Sequence, residues 1–396
     1  MKFNKWTLGL AAVGAVSLTS VARADEAHLD KLNTALSNTT ISGYVDVAAQ
    51  YNGGDPGQAT AGTPITPNNP FGLNQNKVDN FSLNALTISL DKPLDESPWA
   101  SGYHADLNWG SDAVSPLTSS STTSPVRQAY VALRTPVGNG IDWKMGAFDG
   151  VTGYEVNTGY ANPNYTRSYG YQVNPASELG LIGAYKIVDN VSVQLGIANR
   201  GTLAAPNSGA AAGLSSKNYI GTVALTAPES FGFLKGSVLN FGTVQTFDNG
   251  GVNIYDANVT IMTPVTGLKF GFAYDAVESL LSNNPGQVGI NGNIFGVYAC
   301  YQATEKLGFN LRGEYVDAPG IANSAASNAN QARGEELTAT IQYDLWANVV
   351  SRLEVRWDHV EHGIAYNNGQ GVDSSGNTPA SVGDAFLVAI NVVYKF

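Results

Sequence analysis

The chain has 396 residues, of which 13% are charged, and its 21 Lys and Arg against 32 Asp and Glu give a formal net charge of −11. That acidic balance disfavours nucleic acid as a partner, and Cys300, the only cysteine, excludes an intrachain disulfide. No segment after the first residues approaches the roughly 18 to 20 apolar residues that a spanning helix requires.

Lys2 and Lys5 precede an apolar run from Leu8 to Val16, and Ala22-Arg23-Ala24 has the small-x-small form of a cleavage site. Residues 1–24 therefore read as a secretory signal peptide, which takes no part in the fold. Its removal takes away Lys2, Lys5 and Arg23 and moves the formal charge from −11 to −14. In a pore, that charge favours a weak cation preference. Residues 25–40 follow as a linker in which Leu29, Leu32 and Leu36 lie at helical spacing, predicting a short periplasmic helix.

From Ile41 onward the pattern changes to period 2. Ile41, Val45, Val47 and Tyr51 share one face, with Ser42, Asp46 and Gln50 on the other. Fifteen further strands are predicted at 81–90, 99–109, 126–135, 141–148, 177–187, 191–200, 217–226, 236–247, 253–263, 267–276, 293–303, 306–316, 335–344, 348–358 and 384–396. Their connections alternate. Short or tight ones, such as 188–190, 264–266 and 345–347, take turns with mostly long polar ones rich in Gly, Asn and Ser, such as 52–80, 149–176 and 359–383, of which 248–252 is the one short member. An all-β transmembrane antiparallel barrel of about 16 strands over 41–396, with short periplasmic turns and long outer loops, predicts this alternation. A β-sandwich has no reason to sort its loops this way.

Charge distribution agrees. The faces Leu268-Phe270-Phe272-Tyr274, Leu307-Phe309-Leu311-Tyr315 and Leu353-Val355-Trp357 carry none, as a lipid-facing surface requires. The opposite faces carry Glu178, Lys186, Lys269, Asp275, Arg312, Glu314, Glu336, Arg352, Glu354, Arg356 and Asp358, so they see water. Sixteen strands leave room for an aqueous channel.

The terminal strand presents Phe386, Val388, Ile390, Val392, Tyr394 and Phe396 on one face. Tyr394 and Phe396 resemble the terminal signal read by the barrel assembly machinery, and lipid of a bacterial outer membrane is the expected surrounding. The third long connection, 149–176, holds Tyr154, Tyr160, Tyr165, Tyr169 and Tyr171. These tyrosines could serve as an aromatic slide for sugars or as packing for the loop.

Strand count and loop order resemble the general diffusion porins, in which the third loop folds inward and sets the constriction. The segments Arg127-Gln128-Ala129-Tyr130-Val131-Ala132-Leu133, Gly153-Tyr154-Glu155-Val156 and Asn164-Tyr165-Thr166-Arg167-Ser168 resemble the OmpL-like porin-2 family. The resemblance implies an outer-membrane pore, and sixteen-stranded porins make a homotrimer the expected assembly. The constriction candidates are Glu155 and Arg167 on the loop and Arg312, Arg352 and Arg356 on the wall. Glu155 is expected opposite the arginines, across a transverse field. In the alternative, the arginines pair with Glu314, Glu336 and Glu354 on neighbouring strands.

Two function classes follow: a passive channel for small hydrophilic solutes or ions, and a non-conducting structural or adhesive barrel. An enzyme is disfavoured, because a lipase-type histidine should face lipid whereas His104 falls on the lumen side. Asp358-His359-Val360-Glu361-His362 has metal-ligand residue types but lacks the helix that puts paired ligands on one face, so a solvated outer-loop cluster is expected, with no metal or other cofactor.

Overall fold

The computed structural model describes residues 38–53, 77, 80–113, 124–199, 217–246, 251–279, 291–317, 333–362 and 384–396. The predicted signal peptide, the helix read around Leu29 to Leu36, and most of each long connection other than the third lie outside the described residues.

Sixteen strands form one closed barrel. They are β1 (Thr40–Gly53), β2 (Phe81–Lys92), β3 (Ser101–Trp109), β4 (Val126–Thr135), β5 (Ile141–Asp149), β6 (Ser177–Val188), β7 (Val191–Asn199) and β8 (Lys217–Thr226). The chain continues through β9 (Val238–Thr246), β10 (Val252–Met262), β11 (Leu268–Ser279), β12 (Asn291–Gln302), β13 (Leu307–Asp317), β14 (Arg333–Trp346), β15 (Val349–His362) and β16 (Asp384–Lys395). Each strand pairs antiparallel with its sequence neighbours, and β16 pairs with β1 from Lys395 opposite Tyr44 to Phe386 opposite Gly53. Closure leaves no unpaired edge, so every strand can satisfy its backbone within lipid.

The surface is inverted relative to a soluble protein. On β16, Phe386 (52% exposed), Val388, Ile390 and Tyr394 point outward, while Ala385, Leu387, Ala389, Asn391 and Val393 are buried inside. Outward charged side chains such as Lys217, Glu278, Arg333, Glu335 and Asp384 stand at the long-loop ends of their strands. A charge at the midplane of that face would cost about 2–4 kcal/mol.

Phe396 completes the seam. It exchanges two backbone hydrogen bonds with Gly43, each 2.9 Å, and its ring lies over that glycine. A Cβ at residue 43 would come within 2.7 Å of Phe396 Cζ and 2.2 Å of the Thr87 carbonyl oxygen. Only glycine fits under the ring.

Several strands run past their predicted limits, most of all β14 and β15. The antiparallel ladder needs only paired backbone groups, so it continues beyond the apolar face into the polar margin. This corrects the reading of Asp358 to His362 as an outer-loop cluster, since the run belongs to β15. His359 stacks near Trp357 with centroids 5.7 Å apart and holds Asp384 at 3.0 Å.

Candidate functional site

The connection between β5 and β6, residues 150–176, turns into the barrel and is described throughout. Its neck is tied by Asn157, whose side-chain amide donates to Asp149 Oδ1 at 2.9 Å and also to the Ala176 carbonyl. Arg127 Nε donates to Asp149 Oδ1 at 3.0 Å and its Nη2 to Thr158 Oγ1 at 3.0 Å. The Asn162 side chain accepts from the Val156 amide at 2.8 Å and donates to the Val156 carbonyl at 2.7 Å, closing 156–162 on itself. Ser168 then caps a five-residue helix, α1 (Tyr169–Val173), by accepting from the Tyr171 amide at 2.9 Å. Asn and Ser side chains mimic backbone partners in this way, which accounts for their abundance in this loop.

Tyr154 leads the loop down the wall. It stacks on Tyr298 with centroids 4.2 Å apart and covers Gly271, where a Cβ would lie 2.1 Å from the Tyr154 hydroxyl. Tyr160 meets Tyr44 edge-on at 4.8 Å, and Tyr165 packs among Ala48, Leu387 and Ala389. Tyr169 and Val173 of α1 join Val277, Ile294 and Val316. These tyrosines are committed to packing, which corrects the aromatic-slide reading. Burial raises the phenol pKa of Tyr154, Tyr160, Tyr165 and Tyr171, so each stays neutral near pH 7.

The loop's tip is held by charge. Glu354 accepts from the amides of Tyr165 at 2.5 Å and Thr166 at 2.8 Å. Glu314 accepts from those of Tyr169 at 2.7 Å and Gly170 at 3.1 Å, and Glu155 from that of Ser168 at 2.9 Å. The carbonyls go to arginines. Arg312 donates to Thr166 O at 2.7 Å and Arg356 to Arg167 O at 2.8 Å. Arg352 donates to the carbonyls of Gly159 (3.2 Å), Tyr160 (2.5 Å) and Asn162 (3.1 Å). A loop buried in a barrel must find partners for its own backbone, and here wall side chains of β13 and β15 supply them. Hydrogen bonds to charged groups contribute about 1.5–3 kcal/mol each.

Glu155 and Arg312 do not face one another across water. They touch at 2.8 Å with both side chains fully buried, which corrects the expected separation. Arg312 also meets Glu336 at 3.0 Å and Glu314 at 3.7 Å, so the loop acid and two of the wall acids share one guanidinium. Arg356 pairs with Asp358 at 2.7 Å, reaches Glu336 at 3.8 Å and lies 5.0 Å from the Tyr169 ring centroid. In place of the expected arginine, Glu354 takes the two loop amides and the Thr340 hydroxyl, which donates at 2.6 Å. Arg167 turns back to the Asn157 carbonyl and sits 4.8 Å from the Tyr171 ring centroid, within the loop and not toward the wall. His104 lies between Asp91 and Asp106, 3.0 Å from each.

Sequence reasoning missed Thr340, which receives Asn164 Nδ2 at 2.7 Å, and Asp358, which receives the Tyr169 hydroxyl. Period-2 parity placed both on the inner face. Nothing in that parity says which loop atoms they meet.

The model of the family described as "Putative beta-barrel porin-2, OmpL-like" matches residues 38–396. The chain belongs to that family. Among solved structures, the fold of this porin is similar to "Anion-selective porin from Comamonas acidovorans" (TM-score 0.57, 12% identity, covering 91% of this chain and 99% of that one). It is also similar to a trimer form of OmpT from Vibrio cholerae (TM-score 0.56, 16% identity, 91% and 99% covered). The outer-membrane channel DcaP of Acinetobacter baumannii gives a TM-score of 0.54 at 10% identity, with 91% and 97% covered. At these identities the likeness concerns the fold. No curated protein matches the chain.

Proposed function

We propose that this porin is a water-filled channel of the bacterial outer membrane for passive diffusion of small hydrophilic solutes or ions. The observation that carries the reading is the inversion of the barrel. The outward face is apolar, while Asp46, Asn84, Asn258, Asp275, Arg312 and Glu336 are among the polar side chains turned inward. Such an interior has no use in a packed core, and a barrel of this strand number spans an aqueous lumen.

In this reading the third connection narrows the lumen. Glu155 and Arg167 on the loop, with Arg312, Arg352 and Arg356 on the wall, fix how far it protrudes. The short turns face the periplasm, and Tyr394 and Phe396 serve assembly into the outer membrane. The trimer form among the fold's neighbours supports a homotrimer here.

Purified protein in planar bilayers tests the proposal. Stable stepwise conductance is expected, and its absence over many insertions would overturn it. One observation favours the second reading, a structural barrel closed by its loops. The loop reaches β1 and β10–β16 through buried contacts, and inward residues such as Thr260, Thr338 and Asn391 have no exposed surface. Liposome swelling with graded sugars separates the two, since a closed barrel admits none.

A further inference from the structure

At the short-turn end of β2–β5 lies a cavity of about 160 Å³. Four basic side chains line it, Lys92, His104, Arg134 and Lys144, with the carboxylates of Asp91 and Asp142. Two of the basic groups are fully engaged. Arg134 forks onto Asp142 at 2.6 and 2.7 Å, and His104 is clamped by Asp91 and Asp106. Lys144 stands apart. Among the described residues its ammonium has no hydrogen bond and no carboxylate within 4.0 Å, and Asp149 and Asp91 act on it only from farther away. Its near neighbour is the ring of Tyr130, 4.9 Å from Nζ to the centroid. That ring is itself stacked on His104 with centroids 5.3 Å apart and an interplanar angle of 22°.

An ammonium inside a barrel and short of a counter-charge is costly, and an arriving anion removes the cost. The lining limits which anion fits. Lys144 and Lys92 each offer an ammonium without a hydrogen bond or ion pair among the described residues, and Asp91 and Asp142 disfavour a highly charged anion. Tyr130, Trp143 and Leu94 give the remaining wall an apolar character, which suits the body of an organic acid better than phosphate. A cation over an aromatic face remains attractive to a carboxylate that approaches from the open side.

We propose that Lys144 marks a subsite for small carboxylates with an apolar body. The subsite deepens the channel reading and rests on it for its place on a solute path, whereas binding itself does not depend on conduction. Calorimetric titration of the folded full chain in detergent, with benzoate and its neutral isostere benzamide, is the test. Saturable benzoate binding is expected, with benzamide weaker by at least about tenfold. Lys144→Gln is expected to abolish benzoate binding and Lys144→Arg to retain it, with heat-modifiable migration in gels reporting an intact barrel. Should Lys144→Gln fail to fold, the comparison of benzoate with benzamide on the unaltered protein still decides. Equal binding of the two probes, or benzoate binding unchanged in Lys144→Gln, overturns the subsite. Benzoate binding without conductance in planar bilayers would sink the channel reading and leave the subsite standing; conductance without benzoate binding would do the reverse.

Discussion

The inner faces of β7–β9 and of β13–β15 obey the same period-2 rule and do opposite work. The first carries Gln194, Ala198, Ile220, Thr222, Ala224, Asn240 and Val244, with no charge at an inward position. The second carries Arg312, Glu314, Glu336, Arg352, Glu354, Arg356 and Asp358, all buried. The uncharged wall receives only the stem of the third connection, where Val151 packs against a cluster that includes Phe148, Ile182 and Ile220. The charged wall receives the tip and satisfies its backbone. Apolar contact therefore guides the loop inward, and charged groups fix where it stops.

The largest effect expected is from Arg312→Met. It leaves Glu155, Glu314 and Glu336 buried without their shared cation, and breaking a buried pair in this way costs about 3–5 kcal/mol. Thermal unfolding in detergent should shift sharply downward, and limited proteolysis should cut the loop between residues 155 and 170 while the barrel stays whole. A loop as protected as in the unaltered protein would break the contrast between the walls.

Gly43→Ala comes next. The added methyl meets both the Thr87 carbonyl and the Phe396 ring, so the β1–β16 closure should form slowly or incompletely, by roughly the 1–3 kcal/mol of an overpacked site. Refolding yield, read from heat-modifiable migration, checks it. Glu354→Gln should be milder, at about 1–3 kcal/mol, since the side chain keeps its shape but one of the two oxygens that accept from the loop amides becomes an NH2 that cannot accept. Its thermal midpoint should fall less than that of Arg312→Met.

Thr222→Val on the uncharged wall should not destabilise, because the buried Thr222 hydroxyl has no hydrogen-bond partner among the described residues and its removal strands none. A drop in stability comparable to Glu354→Gln would show that the two walls are not so different.

The barrel was legible in the sequence because lipid imposes a rule on every strand. Outward residues such as Phe270, Leu311 and Ile390 must be apolar, and antiparallel closure sorts the connections into short and long sets. The inward parity of Arg312, Arg352 and Arg356 followed from the same rule. Their partners did not. Glu354 looks from sequence like the mate of a neighbouring arginine, yet it binds the amides of Tyr165 and Thr166, 188 or more residues away in sequence. Backbone groups are the same at every position, so no residue pattern announces that a loop's amides are the target. The Asn and Ser residues at 157, 162, 164 and 168 marked the loop as polar without giving its course.

Single-channel conductance of the unaltered protein beside the Arg352→Ala, Arg356→Ala double variant tests most directly whether the arginine-held loop sets the passage. These arginines hold four loop carbonyls, those of Gly159, Tyr160, Asn162 and Arg167. Stepwise conductance is expected in both proteins, with larger steps and altered ion selectivity in the double variant. Identical steps and identical selectivity in the two would contradict it.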